Sequence, residues 1–149
     1  MLRVTKLTDY ATVLMTVLAR EAGTVLSASE LAARAGLELS TVAKVLKPLA
    51  QSGLAESVRG ANGGYRLVRD PWSITLADIV EAMEGPLAMT ECSTHEGQCG
   101  IETSCGVRSN WLRVNDVIAD ALRGVSLASM AQSVATPRSA RGIPVRLTA

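Results

Sequence analysis

A short helix with its own start and stop signals does most to narrow the fold. Ser27-Ala-Ser-Glu30 fits a capping box, Ser27 reaching forward to a backbone N–H and Glu30 reaching back. Gly36 closes the segment, so the helix runs from about Ala28 to Ala35 and buries Leu31 and Ala32. Upstream, Thr8 can cap a helix to about Arg20, with Tyr10, Val13, Leu14, Val17 and Leu18 recurring at helical spacing. Downstream, Leu37-Glu-Leu39 is a short turn and Ser40 caps a third helix, about Thr41 to Ser52, lined by Val42, Val45, Leu46 and Leu49. Pro48 predicts a kink or an early end there, because it lacks an N–H and crowds the preceding turn.

After Gly53, Leu54–Val58 reads as a strand, Arg59–Gly64 as a turn and Tyr65–Val68 as the returning strand, with Asn62-Gly63 as the hairpin signal. Helix, short helix, turn, helix and hairpin in that order predict a winged helix-turn-helix. The fold class is mainly α with a small β-hairpin. Such a module reads DNA with polar side chains at the start of its third helix and with its wing. Ser40, Thr41, Lys44 and Lys47 occupy the first place, Arg59 and Asn62 the second. Taken singly, a lysine on a helix face is more often only solvated; the complete pattern is what favours DNA contact.

Asp70-Pro71 marks a boundary, and Thr75 with Asp78 starts another helix reaching about Glu84. From about Val107 to Arg123 a long helix carries Val107, Trp111, Val114, Ile118 and Ala121 at heptad-like spacing, a seam suited to a twin helix in a homodimer or to packing on its own domain. Ser126–Met130 adds a short final turn. The organisation is thus a DNA-binding region over 1–70, a connecting helix over 71–90, a cysteine-rich loop over 91–106, a dimerisation helix and final turn over 107–131, and an aperiodic tail over 132–149 that reads as disordered.

All three cysteines, Cys92, Cys99 and Cys105, lie within that loop, in a polar stretch that also holds His95, the chain's one histidine. The spacing is not the C-x2-C of a structural zinc knuckle. Thiolates on a longer loop can instead surround an iron–sulfur cluster, and three of them leave one iron of a four-iron cluster for another ligand. His95 and Asp9 are the candidates. Asp9's plainer role is to favour the start of the first helix, and His95's is to sit exposed in a loop. No apolar run is long enough to span a membrane, and the N-terminus lacks a signal-peptide pattern, so a cytoplasmic location is expected. There, clustered thiols serve metals or redox chemistry more often than disulfides. Net charge is only +1, but residues 1–70 hold nine Lys/Arg against six Asp/Glu, while 71–131 hold three against eight. A basic first half could face phosphates. A thiol enzyme or cluster carrier is disfavoured, since no partner constellation, P-loop or dinucleotide fingerprint accompanies the cysteines. A zinc-binding regulator using the cysteines and His95 stays open.

The motifs L-T-D-Y-A at 7–11, S-V-R-G-A-N-G-G-Y-R-L at 57–67, I-T-L-A-D-I-V-E-A-M-E-G at 74–85 and the three-cysteine loop resemble those of the Rrf-type winged-helix regulators, the family of the iron–sulfur regulator IscR and of nitric-oxide-sensing repressors. The run from Met89 to Trp111 looks like the branch that regulates SUF-system cluster assembly. The resemblance implies a homodimer paired by the long helix, a palindromic operator on double-stranded DNA, and a cluster, 2Fe-2S or 4Fe-4S, whose state alters DNA binding. It assigns Cys92, Cys99 and Cys105 as ligands, although the first gap is one residue longer than in the best-known members. In the IscR-like branch a histidine follows the third cysteine by three residues; Arg108 stands there in this chain. In the nitric-oxide-sensing branch an aspartate of the partner's first helix completes the cluster, and Asp9 matches it, which ranks Asp9 above His95. Arg59 matches the family's wing arginine.

Overall fold

The computed structural model describes residues 4–90, 100 and 104–132. Its elements are α1 (Lys6–Arg20), α2 (Ala28–Ala35), α3 (Leu39–Gln51), β1 (Ala55–Val58), β2 (Gly64–Leu67), α4 (Leu76–Glu84), α5 (Arg108–Arg123) and α6 (Leu127–Gln132). The mainly helical fold with one antiparallel hairpin is the one expected. The tail from 133, and most of the cysteine loop with Cys92, His95 and Cys99, lie outside the described residues.

Several helix starts differ from the sequence reading. Thr5, not Thr8, is the N-cap of α1, and its hydroxyl accepts from the Thr8 amide at 3.3 Å. Thr8 is instead a buried side chain. Within α1, Leu14, Val17 and Leu18 are buried as expected and Tyr10 packs against the core; Ala11 and Met15 join them, whereas Val13 faces out. The N-cap of α3 is Glu38, without a side-chain cap, so Ser40 lies inside the first turn. Pro48 does not end α3, which runs on to Gln51. Leu46 and Leu49, on either side of the proline, are both buried, and that burial holds the last turn in place.

The short α2 forms as expected. Ser27 Oγ accepts from the Glu30 amide at 3.2 Å, the Ser27 amide donates to Glu30 Oε2 at 2.8 Å, and Gly36 closes the helix at φ +66°. The wing pairs Ala55 with Leu67 through to Val58 with Gly64. Its five-residue connection holds a turn from Gly60 to Gly63, closed by the Gly63 amide on the Gly60 carbonyl at 3.0 Å; Gly60 has positive φ and Asn62 keeps an ordinary backbone. The wing is anchored to the head by a bridge between Leu26 and Tyr65, with Tyr65 N donating to Leu26 O at 2.7 Å and Leu26 N to Tyr65 O at 3.0 Å.

A single aliphatic core joins these parts. Leu14, Met15, Leu18, Leu31, Val45, Leu46 and Leu49 of the first three helices meet Ile74, Ile79 and Leu127. α6 docks beside the start of α4, where Leu127 N donates to Ile74 O at 2.7 Å and Leu76 N to Val125 O at 2.8 Å. α5 is different. Ala119 is its one fully buried residue, and Val107, Trp111, Val114 and Val117 are exposed along it.

Candidate nucleic-acid interface and the root of the cysteine loop

Helix α3 buries Val42, Val45, Leu46 and Leu49 and turns Leu39, Ser40, Ala43, Lys44 and Lys47 to solvent, with Thr41 half-buried. This is the geometry of a recognition helix: an anchored face, with side chains of its first turns left free for a groove. The sequence reading puts Leu39 in the preceding turn. It is half exposed in the first turn of α3, where an apolar side chain can meet a thymine methyl. Beside it, Tyr10 of α1 lines a hollow with Gly36, Leu37, Glu38 and Thr41, and Lys6 Nζ sits 5.7 Å from the Tyr10 ring centroid. Lys6 and Tyr10 are candidate contacts that sequence reasoning missed. Their signal was the i, i+4 spacing just after the helix cap. In the wing, Arg59 and Asn62 are both exposed in the connection between the strands.

The ion pairs sort the cations. Arg34 pairs with Glu21 at 2.8 Å, Arg66 with Glu56 at 2.6 Å across the hairpin, Arg69 with Asp78 at 3.4 Å and Arg123 with Asp120 at 3.1 Å. Lys6, Lys44, Lys47 and Arg59 have no carboxylate partner among the described residues. Those four lie on α1, the recognition helix and the wing, so positive charge is left uncompensated where phosphates would be met; Arg20, which donates to the Ala131 carbonyl, and Arg113 of α5 also lack an ion pair among the described residues.

The loop's root lies elsewhere. It leaves α4 at Gly85 and re-enters at α5, whose N-cap Val107 follows shortly after Cys105. Cys105 is half-buried and carries a free thiol. Asp9 is exposed in the first turn of α1 with no ion pair among the described residues. No three His, Cys, Asp or Glu side chains converge among the described residues, where Cys105 is the one member of the loop's proposed donor set present. At the α4 end, Glu84 Oε1 accepts from the Thr5 amide at 3.2 Å, from the Thr5 hydroxyl at 2.6 Å and from the Thr8 hydroxyl. These hydroxyl donors hold the Glu84 carboxyl below its ordinary value. Glu30 is lowered likewise by the Ser27 amide and hydroxyl of its capping box.

A helix-turn-helix with a docked wing defines the class: a winged-helix DNA-binding protein. The chain belongs to the Rrf2 family, described as iron-dependent transcriptional regulators, which it matches over residues 4–133. It is 32% identical over 133 residues to protein aau3 of Rhizobium meliloti, covering 89% of this chain and 86% of that one. Among solved structures it resembles CymR, the global cysteine regulator of B. subtilis, with a TM-score of 0.71 at 29% identity over 91% of this chain and all of that one. It also resembles IscR of T. potens, with a TM-score of 0.66 at 31% identity over 87% and 85% of the two chains. Against curated IscR relatives from Vibrio species the match spans 58–60% of their length. These named regulators are transcription factors, not enzymes. Among the described residues no helix is long and apolar enough to cross a membrane.

Proposed function

We propose that this chain is an iron–sulfur-cluster-sensing transcription regulator that binds a palindromic operator as a homodimer and represses SUF cluster-assembly genes. One observation carries the reading: all the cysteines fall in the single segment that links α4 to α5, outside the DNA-binding head, in a chain of the Rrf2 family. Cys92, Cys99 and Cys105 would hold the cluster, and Asp9, exposed at the start of α1, ranks above His95 as the remaining ligand because it matches the aspartate of the nitric-oxide-sensing branch. A bound cluster supplies an iron site open to oxidants and to loss of metal. The head supplies DNA affinity through Ser40, Thr41, Lys44, Lys47, Arg59 and Asn62. Pairing of the exposed α5 faces of two copies supplies the dimer. The cytoplasm, where thiols stay reduced, suits such a loop.

A second reading keeps the head and replaces iron by zinc on the same cysteines with His95. The likeness to CymR, a regulator named for cysteine rather than iron, favours keeping it. Anaerobic purification with iron, sulfide and zinc assays and a visible spectrum separates the two. Broad absorbance near ~400 nm with matched iron and sulfide supports the cluster; a colourless, zinc-loaded protein refutes it. Cys92→Ser, Cys99→Ser and Cys105→Ser should each abolish the ligand response with the head still folded; Cys105, the one of the three among the described residues, lies outside the buried core cluster.

A further inference from the structure

Glu84 is the last residue of α4, and the chain from Gly85 to the first cysteine hangs from it. One of its carboxylate oxygens collects three donors from the opposite end of the sequence, the amide and hydroxyl of Thr5 and the hydroxyl of Thr8. Thr5 is the residue that caps α1, and Thr8 is the only buried polar side chain among the described residues. The carboxylate therefore does more than decorate a helix end. It fixes the first turn of α1 against the place where the cysteine loop begins.

Two further features make this a point of transmission. On the loop side, Met89 N donates to Asn115 Oδ1 of α5 at 3.2 Å, and a cleft of about 260 Å³ lined by Val4, Glu84, Pro86, Met89 and Ile118 leaves room for the root to shift. On the DNA side, Tyr10 stands in the turn of α1 that Glu84 holds, and it lines the hollow formed by Glu38 and Thr41 at the start of the recognition helix. Glu84 thus touches Thr5 and Thr8 directly, and α1 carries the link on to α3 through the core that the two helices share.

We propose that Glu84 is the positioning residue that couples the cysteine loop to the recognition helix, so that releasing its carboxylate from Thr5 and Thr8 disconnects the state of the loop from DNA affinity. The identity of the signal rests on the cluster-sensing reading above; the coupling itself does not.

The test uses the full chain, wild type against Glu84→Ala and Glu84→Gln, with a DNA duplex selected by the wild-type protein from a random pool. Affinity is measured after anaerobic reconstitution with iron and sulfide, and again after removal of metal by a chelator. A loaded-to-stripped affinity ratio of about tenfold or more in the wild type should fall below about threefold in Glu84→Ala, at unchanged iron content and circular dichroism. Glu84→Gln, which keeps an acceptor oxygen, should recover part of the ratio. A Glu84→Ala variant that keeps the wild-type ratio overturns the proposal, as does one that weakens both states equally, the signature of a merely structural role. If the wild type itself shows no difference between its two states, the cluster reading fails, and hydrogen exchange then decides the coupling. DNA should slow amide exchange at residues 85–90 in the wild type and not in Glu84→Ala, because coupling is reciprocal; equal protection in both refutes it.

Discussion

Gly64→Ala should undock the wing. Gly64 opens β2 where that strand crosses the backbone before α2. A Cβ placed there would lie within the Leu26 carbonyl, 2.5 Å from its carbon and 2.8 Å from Ser27 N. All three neighbours are backbone atoms, and none can turn aside as a side chain would. Leu26 is also buried, and Ser27 caps α2, so the obstacle is itself fixed. The strand must move outward, stretching the Tyr65–Leu26 pair of hydrogen bonds at 2.7 and 3.0 Å. Overpacking of this kind costs roughly 1–3 kcal/mol, and two weakened backbone bonds add about 0.5–1.5 kcal/mol each. The expected loss is about 2–6 kcal/mol, a large part of a domain's roughly 5–15 kcal/mol of stability. In a chain of this size that corresponds to a Tm lower by roughly 4–24 °C. Urea titration followed by circular dichroism measures it, with Gly106→Ala as the reference. Gly106 has an ordinary φ, and a methyl group added there would meet nothing within 4 Å, so its substitution should stay within about 0.5 kcal/mol. A Gly64→Ala variant that loses less than about 1 kcal/mol would show that the wing is not seated on Leu26 and would remove the argument for its rigid docking.

The charge sorting predicts salt dependence. Lys6→Ala, Lys44→Ala and Arg59→Ala should each lower the slope of log K against log salt for DNA binding by about 0.9 if each contacts one phosphate, whereas Arg34→Ala, whose partner is Glu21, should leave the slope unchanged. Val117→Asp on α5, at a side chain 70% exposed in the single chain, should shift sedimentation from dimer to monomer; a wild-type protein already monomeric at assay concentration would refute the pairing of α5. Glu84 makes stability depend on acid. Its folded value is lowered, so its contribution is complete above the unfolded value near 4.5 and is lost as pH falls through the folded value below that. The urea midpoints of wild type and Glu84→Gln should therefore differ at about pH 6 and draw together as pH falls below the ordinary carboxylate value; a constant gap would mean that the carboxylate's charge does not matter to the hydrogen bonds it accepts.

Much of this was legible in the chain because the signals were local. The capping boxes at Ser27–Glu30 and Thr75–Asp78 need only four residues each, and both form as read. The hairpin was equally visible, and its turn includes Asn62-Gly63, with the Gly63 amide donating to the Gly60 carbonyl at 3.0 Å, though the positive φ sits at Gly60. The misses have a common cause. Thr8 has the chemistry of a cap, but its hydroxyl is claimed by Glu84, seventy-six positions away. Ser40 likewise lost the cap position of α3 to Glu38, and Pro48 was tolerated because burial of Leu46 and Leu49 outweighs what the proline removes. Long-range partners decide such choices, and spacing along the chain does not announce them. Within the candidate site, the recognition helix could be read from its stripe, whereas the freedom of Lys6, Lys44, Lys47 and Arg59 from ion pairs could be read only once Arg34, Arg66, Arg69 and Arg123 had found their carboxylates.

The first turns of α1 concentrate these demands in six residues. Thr5 and Thr8, one helical turn apart, face Glu84 at the loop root. Lys6 and Tyr10, at i and i+4, share a second face beside the start of α3. Asp9 occupies a third, exposed position between them. A helix holds such faces at fixed angles to one another, because its backbone bonds run from each residue to the fourth beyond it. A rotation or shift of the helix that accompanies a new partner at Asp9 therefore moves Tyr10 and Thr8 by a comparable amount. That constraint is why an acidic residue at the start of α1 is a more consequential ligand candidate than His95 in the loop. A ligand on the loop would report to the loop, while a ligand on this turn reports at once to the core, to the loop root and to the face beside the recognition helix.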